Sequence, residues 1–323
     1  MTEKISIVIP VYQNSTSIFL TCDEVIKAMD SIGDDLDFEL VLVNDGSRDM
    51  SWELMRQIQV TYPQRVILVN LVRNFGQLSA LLAGYDHASG NAVISMSADM
   101  QDPPSLIPEM IRAWRQGHKL VVAQRTARDD GLINDMISNF AWGILKRFAL
   151  PNLPKGGFDF FLMDASIRNY YVTNPEQHIF MQGRLLYYVG QPHAVPYERA
   201  KRHSGKSQTS LGRKIKYLID GFAGYSYMPL RLIALAGIFL FLLSLIGSAW
   251  IVWYILTHES RVEGWASIMV VMLFLNGTQL LALGVIGEYL WRGVEEVRKR
   301  PHYVVDEVIF RREEVEAVRH EPV

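Results

Sequence analysis

Two carboxylates sit in segments that suit phosphate and metal chemistry. Asp45 lies in Asn44-Asp45-Gly46-Ser47. Asp99 lies in Ser97-Ala98-Asp99-Met100-Gln101-Asp102-Pro103-Pro104. Mg2+ or Mn2+ takes hard oxygen ligands, commonly one or two carboxylates, and fills its shell with substrate phosphates and water. Asp99, with Gln101 two residues on, is therefore the candidate metal ligand. Asp45 is placed to contact a nucleobase or ribose. Two further polar groups are Pro10-Val11-Tyr12-Gln13-Asn14 and Arg73-Asn74-Phe75-Gly76-Gln77. Each of the four groups follows a short apolar run, and each taken singly is also good turn chemistry. Carboxylates at two such ends, the second closed by a Pro-Pro pair, favour a diphosphate site over four unrelated turns.

The elements that must hold these groups can be read from the pattern. Residues 5–12, 38–43, 66–71 and 92–96 are short runs rich in β-branched residues, and 120–123 is a weaker case. Helical patterns separate them at 17–32, 52–60, 77–87 and 105–116. Such alternation predicts an α/β domain with a mostly parallel central sheet covered on both faces. Ligands of such sheets bind outside the carboxyl ends of the strands, where the four polar groups fall. No strand is followed by G-x-G-x-x-G or G-x-x-x-x-G-K-[ST], which argues against a dinucleotide dehydrogenase and a P-loop NTPase.

Composition adds two asymmetries. The chain has 323 residues, 49% hydrophobic and 20% charged, with a formal charge of −2 and a mean hydropathy of +0.09. One cysteine, Cys22, excludes an internal disulfide and a multi-cysteine metal site. The overall charge gives no sign of nucleic-acid binding. Residues 232–256 carry no formal charge, and a second apolar run covers 264–287. Each is long enough for the roughly 20 helical residues that a bilayer core requires. Trp250, Trp253, Tyr254 and Trp265 cluster around the intervening loop, and Lys/Arg residues flank the outer ends. These features predict two transmembrane helices with both termini cytoplasmic. The N-terminus shows no signal-peptide pattern. Residues 1–110 hold 15 acidic and 6 basic residues, a net of −9, whereas 198–216 hold 7 basic and 1 acidic, a net of +6. That basic block suits anionic head groups, a phosphate presented at a membrane, or both.

The motifs Ile7-Val-Ile-Pro-Val-Tyr12, Val43-Asn-Asp-Gly-Ser47, Arg73-Asn-Phe-Gly76 and Ala98-Asp-Met-Gln-Asp-Pro-Pro104 resemble the family 2 glycosyltransferases of GT-A fold. With two C-terminal spans, the chain is similar to the polyisoprenyl-phosphate glycosyltransferases, relatives of dolichol-phosphate mannose synthase. The resemblance implies an inverting transfer from a nucleotide sugar, with UDP as the nucleotide by analogy, to undecaprenyl or another polyprenyl phosphate. It implies a Mg2+ or Mn2+ cofactor held by Asp99 and Gln101. The nucleotide would meet Pro10, Tyr12, Asp45, Asn74, Gln77, Ser97 and Asp99. Ser97 stands where the family's first acidic metal-site residue is expected.

Two more segments follow from the resemblance. Gly156-Gly157-Phe158-Asp159-Phe160-Phe161 is similar to a loop bearing a catalytic carboxylate, with Phe161 where several relatives have arginine. Asp159 is then catalytic alongside Asp99, the alternative being a turn or capping role. Arg202-His203-Ser204-Gly205-Lys206-Ser207-Gln208 resembles an R-x-x-G-x-S-K element. Arg199, Arg202, Lys206 and Ser207 would donate charge-assisted hydrogen bonds to the lipid phosphate. The resulting expectation is a GT-A domain over 1–210, an interfacial amphipathic helix over 211–228, a two-helix membrane domain over 229–291 and a cytoplasmic tail over 292–323. The protein would lie in the inner membrane of a bacterium, with the lipid bilayer as a partner and as a homotetramer by analogy. The competing reading is a catalytically degenerate protein that binds a nucleotide sugar or a lipid phosphate. A processive synthase would carry more spans and a Q-x-x-R-W segment, neither of which is present.

Overall fold

The computed structural model describes residues 3–33, 35–125, 143, 146, 147, 150–154, 157–177, 180–197, 226, 228–257 and 264–310. The chain divides into two compact units, Met1–Asp220 with Arg300–Val323, and Gly221–Lys299.

The first unit is built on an eight-stranded sheet. Its elements in chain order are β1 (Glu3–Val11), α1 (Ile18–Asp30), β2 (Leu36–Asn44), α2 (Ser51–Thr61), β3 (Val66–Leu71), α3 (Gln77–Asp86), β4 (Ala92–Ser95), α4 (Ile107–Arg115), β5 (Leu120–Arg125), β6 (Phe161–Asp164), α5 (Ala165–Thr173), α6 (Met181–Val189) and β7 (His193–Tyr197). The last strand, β8 (Val305–Ile309), joins from the far end of the chain. The sheet order is β7-β5-β6-β4-β1-β2-β3-β8.

The central strands are apolar because both faces are covered. Ile5, Ile7, Val8 and Ile9 of β1 and Leu40 through Val43 of β2 are fully buried, as expected for parallel strands between helical layers. α1 turns Ile18, Cys22, Val25, Ile26 and Met29 inward, a stripe at helical spacing. Burial pushes the Cys22 thiol up to about 12, so it packs as an apolar group. A 3-10 turn at Pro104–Leu106 leads into α4, and proline suits such first-turn positions because their N–H groups lack helical partners anyway.

The sheet is mostly parallel, as expected, with two reversed strands, β6 and β8, that make it mixed. β1 pairs in parallel with β2 and β4, β2 with β3, and β5 with β7. β6 runs antiparallel to both β4 and β5, and β8 runs antiparallel to β3. Toward the amino ends of β1 and β2, the fully buried Glu39 meets Lys4 Nζ at 2.8 Å. It also accepts from the Ser6 hydroxyl at 2.6 Å and the Ser89 N–H at 2.7 Å.

The second unit contains α7 (Met228–Thr257) and α8 (Trp265–Arg298). Tyr289 of α8 donates its hydroxyl to the Ser226 carbonyl at 3.0 Å. The expectation of two transmembrane helices is corrected here. Among the described residues, no helix is long and apolar enough to cross a membrane, so a two-pass inner-membrane placement is not supported. A span requires an unbroken apolar stretch of about 20 residues. α8 carries Asn276, Thr278 and Gln279 in mid-helix and Glu288, Arg292, Glu295 and Glu296 near its end. Several apolar side chains of these helices are exposed, Leu235, Phe239 and Leu281 among them.

Candidate active site

The order of the central strands decides where a ligand can sit. β1 lies between β2 and β4, so the connections leaving its two neighbours diverge at the carboxyl ends, the switch point at which such sheets bind ligands. The loops after β1, β2, β3 and β4 meet there. The Asp45 N–H donates to the Val11 carbonyl at 2.9 Å, and the Gln13 N–H donates to Ser47 Oγ at 3.1 Å. The Asn14 side chain accepts from the Tyr12 N–H at 3.1 Å. On the other side, Ser17 Oγ donates to the Ala98 carbonyl at 2.6 Å. Pro10 is paired with Val43 at the end of β1, and Pro10 and Tyr12 are half-buried.

Asp45 is buried, and its carboxylate organises the loop after β3. Oδ1 accepts from the Phe75 N–H at 2.7 Å. Oδ2 accepts from the Gly76 N–H and from Asn74 Nδ2, each at 3.0 Å. Burial pushes its carboxyl above the usual range, against the pull of those two backbone N–H groups. Gly76 (φ +96) precedes α3, whose first residue is Gln77. Gly46 (φ +64) lies so close to the chain at Arg73 and Asn74 that a Cβ would stand 2.5 Å from their backbone atoms.

The segment after β4 is built around Ser97. Its hydroxyl lies 2.7 Å from Asp99 Oδ1 and 2.7 Å from Asp102 Oδ2. The Gln101 N–H donates to Asp99 Oδ1 at 3.2 Å, across Met100 in the left-handed region (φ +60). Asp99 and Gln101 are half-buried, while Asp102 is buried. Burial first, then the charge of Asp159, drives the Asp102 carboxyl up, and the Ser97 hydroxyl works the other way.

A chain of side-chain contacts runs from this segment to the Asp159 loop. The Tyr197 hydroxyl, at the end of β7, donates to Asp102 Oδ1 at 3.3 Å. Arg125, at the end of β5, donates from Nε to that hydroxyl at 3.2 Å and from Nη2 to Asp159 Oδ2 at 3.3 Å. Burial opposes the charge on Arg125, but the Asp159 carboxylate, the Tyr197 hydroxyl and the Asp102 carboxylate together outweigh it and raise its pKa. The buried Gln182 of α6 donates to the Phe158 carbonyl at 2.7 Å and to Asp159 Oδ1 at 3.4 Å. Phe158 and Phe160 are buried on either side, which turns Asp159 outward with its side chain about half exposed.

These four loops and this network form one continuous polar site at the carboxyl ends of the strands. The model described as "Glycosyl transferase family 2" matches residues 6–232. The chain belongs to this family. This glycosyltransferase is 35% identical over 314 residues to the "Uncharacterized glycosyltransferase sll0501" of Synechocystis sp., covering 95% of this chain and 96% of that relative. It is 33% identical over 303 residues to the SfII prophage-derived bactoprenol glucosyl transferase of Shigella flexneri, covering 94% and 97%. Glucosyl-3-phosphoglycerate synthase from Mycobacterium tuberculosis aligns with 68% of this chain and 80% of its own, at 18% identity and a TM-score of 0.49.

Within this glycosyltransferase, the structure brings Pro10, Tyr12, Asp45, Asn74 and Gln77 to one group of loops, and Ser97, Asp99, Gln101 and Asp159 into or beside the contact network. Arg199, Arg202, Lys206 and Ser207 lie outside the described residues, as does most of 211–228. Among the described residues, no group of three His, Cys, Asp or Glu side chains converges as a metal cage. The donors at Asp99 and Gln101 are hard oxygens, which fits a Mg2+ or Mn2+ ion that draws its remaining ligands from substrate phosphates.

Arg125, Tyr197 and Gln182 belong to this network and lie outside the motifs of the sequence. Arg125 and Tyr197 end their strands, so the strand-end rule would have found both had β5 been extended by two residues and β7 recognised. Phe161 is fully buried in β6 opposite Ser95 and Val122. The guanidinium beside Asp159 thus comes from β5 and not from position 161.

Proposed function

We propose that this glycosyltransferase moves a sugar from a nucleotide sugar, a UDP-sugar by analogy, to a polyprenyl phosphate with inversion at the anomeric carbon. The observation that carries the acceptor class is the likeness to bactoprenol glucosyl transferase, which extends over 94% of the chain. In the reaction, an acceptor phosphate oxygen forms a bond to the anomeric carbon. The bond from that carbon to the diphosphate oxygen breaks, and the electron pair leaves with the nucleoside diphosphate.

The chain's residues divide the work. Pro10, Tyr12, Asp45, Asn74 and Gln77 line the nucleotide side, and Asp45 shapes it by fixing Asn74, Phe75 and Gly76. Ser97 and Asp99 face the diphosphate. A divalent cation at Asp99 and Gln101 would neutralise charge developing on the leaving diphosphate. A phosphate monoester has a second pKa of about 6, so the acceptor is largely ionised at neutral pH and needs little help from a base. Asp159, held by Arg125 and Gln182, orients the acceptor or takes a residual proton. Arg199, Arg202, Lys206 and Ser207 are proposed to bind the acceptor phosphate.

The test is mass spectrometry of lipid products from the full-length protein, undecaprenyl phosphate and a panel of nucleotide sugars. A hexosyl-phospholipid formed from one donor is expected. Hydrolysis of donors to free sugar, or no product from any of them, would sink the reading.

A further inference from the structure

We propose that Asp306, on the C-terminal strand, is a positioning residue for the donor site. The strand β8 closes the sheet edge beside β3, more than 200 residues from it in sequence. Its register is regular from Leu68↔Ile309 to Asn70↔Glu307 and then shifts, with Leu71 opposite Val305. The shift leaves Asp306 without a partner position. Such a bulge re-aims a side chain, and here the Asp306 carboxylate accepts from Asn70 Nδ2 at 3.1 Å.

The contact begins a relay. Asn70 Oδ1 accepts from Asn44 Nδ2 at 2.7 Å, and Asn44 Oδ1 accepts from the Ser47 N–H at 3.2 Å. Ser47 Oγ in turn accepts from the Gln13 N–H at 3.1 Å. Gln13 sits at φ +55, a strained position for a residue with a side chain, and it follows Tyr12. The relay therefore ends on both sides of the nucleotide loops, with Asp45 between Asn44 and Ser47.

Its polarity is fixed from both ends. An ionised carboxylate only accepts, so the Asn70 amide must turn its nitrogen to Asp306 and its oxygen to Asn44. A backbone N–H only donates, so Asn44 must turn its oxygen to Ser47. Each amide has one orientation that satisfies both neighbours. Asn44 is buried, where a misoriented amide leaves a polar group without a partner. A donor at position 306 would oppose the whole chain of bonds, whereas an amide there can turn its oxygen to Asn70.

The proposal rests on the donor side lying at the ends of β1 and β2. Its test compares Asp306→Ala, Asp306→Asn and Asp306→Lys in the full chain. The first readout is hydrogen exchange without ligand over the peptides containing Gln13 and Ser47. The second is UDP affinity with Mn2+, together with KM for the donor and kcat. Asp306→Ala is expected to speed exchange in both peptides and to weaken UDP binding and raise donor KM about fivefold, with kcat unchanged. Asp306→Lys should do more, and Asp306→Asn should stay within about twofold of wild type. Unchanged exchange in Asp306→Ala, or equal effects of Asn and Ala, overturns the relay. Asp45→Ala separates the two readings. If it weakens UDP binding while Asp306→Ala does not, the positioning role fails. If neither affects UDP binding, the donor-side reading fails, and the role of Asp306 there with it.

Discussion

Arg125 donates to Asp159 across 3.3 Å from a guanidinium that is itself mostly buried, so the carboxylate at the mouth of the site is held from below by a fixed positive charge. The same guanidinium reaches the Tyr197 hydroxyl through Nε. A planar fork can make both bonds at once, whereas a lysine ammonium on a flexible stem cannot hold that pair of directions. Arg125→Lys is therefore expected to lose most of what Arg125→Ala loses, with kcat for lipid-product formation down about tenfold or more in each. Wild-type kcat in Arg125→Lys would show that charge alone suffices and that the fork has no role.

Asp99 and Asp159 should respond differently to substitution. In the proposed reaction Asp99 stands on the leaving-diphosphate side, where loss of charge stabilisation costs on the order of 100-fold in rate. In the same proposal Asp159 stands on the side of an acceptor that is already ionised at pH 8. With acceptor saturating at that pH, Asp159→Asn should cost on the order of tenfold, clearly less than Asp99→Ala. Initial rates of both variants decide the matter, and equal or reversed losses would restore a demanding general-base role to Asp159.

The parallel heart of the sheet and four of its loops were legible in the sequence because they are local. Runs such as Ile5-Ser-Ile-Val-Ile9 declare a doubly covered strand, and the polar residues that follow must lie at its carboxyl end. Long-range pairing was not legible. β6 is a four-residue strand, β7 contains Pro196, and β8 is the charged segment Val305-Asp-Glu-Val-Ile309, which resembled a tail. Each becomes a strand through an edge supplied by a distant part of the chain. Tyr197 and Asp306 stayed hidden for the same reason, and Arg125 because β5 runs two residues past its apolar pattern. Ser97 stands where an acidic residue is expected, and Asp102, five residues on, brings a carboxylate oxygen to 2.7 Å from its hydroxyl. The two apolar runs did become long helices, but their expected membrane crossing is not supported among the described residues.

Gly46 marks a close approach between the loops after β2 and β3. Its φ of +64 is costly for a residue with a Cβ, and that Cβ would lie 2.5 Å from the backbone at Arg73 and Asn74. Those atoms belong to the loop that Asp45 holds, so the loop must move to admit even a methyl group. Gly46→Ala is expected to destabilise the protein by about 2 kcal/mol or more. It should also raise KM for the donor. Calorimetric unfolding together with donor kinetics checks both. A variant with unchanged stability and unchanged KM would mean that the loop yields without cost.

Glu39 gives the chain a pH dependence whose sign can be worked out. Burial alone would raise its pKa, but Lys4, the Ser6 hydroxyl and the Ser89 N–H together hold it below the ordinary carboxylate value of 4.5. A folded-state pKa below the unfolded one means that the unfolded chain binds more protons between the two values. The stability supplied by the ionised carboxylate is therefore complete above the unfolded value and disappears as pH falls through the folded one. Glu39→Gln removes the charge and strands the partly exposed Lys4, at a cost of about 2 kcal/mol at pH 7. The gap between wild type and variant should be constant from pH 7 down to about 5 and should narrow below about 4.5. Denaturant titrations across that range measure it. A gap that widened with acid would mean that Glu39 is destabilised as an anion in the fold, contrary to the geometry around it.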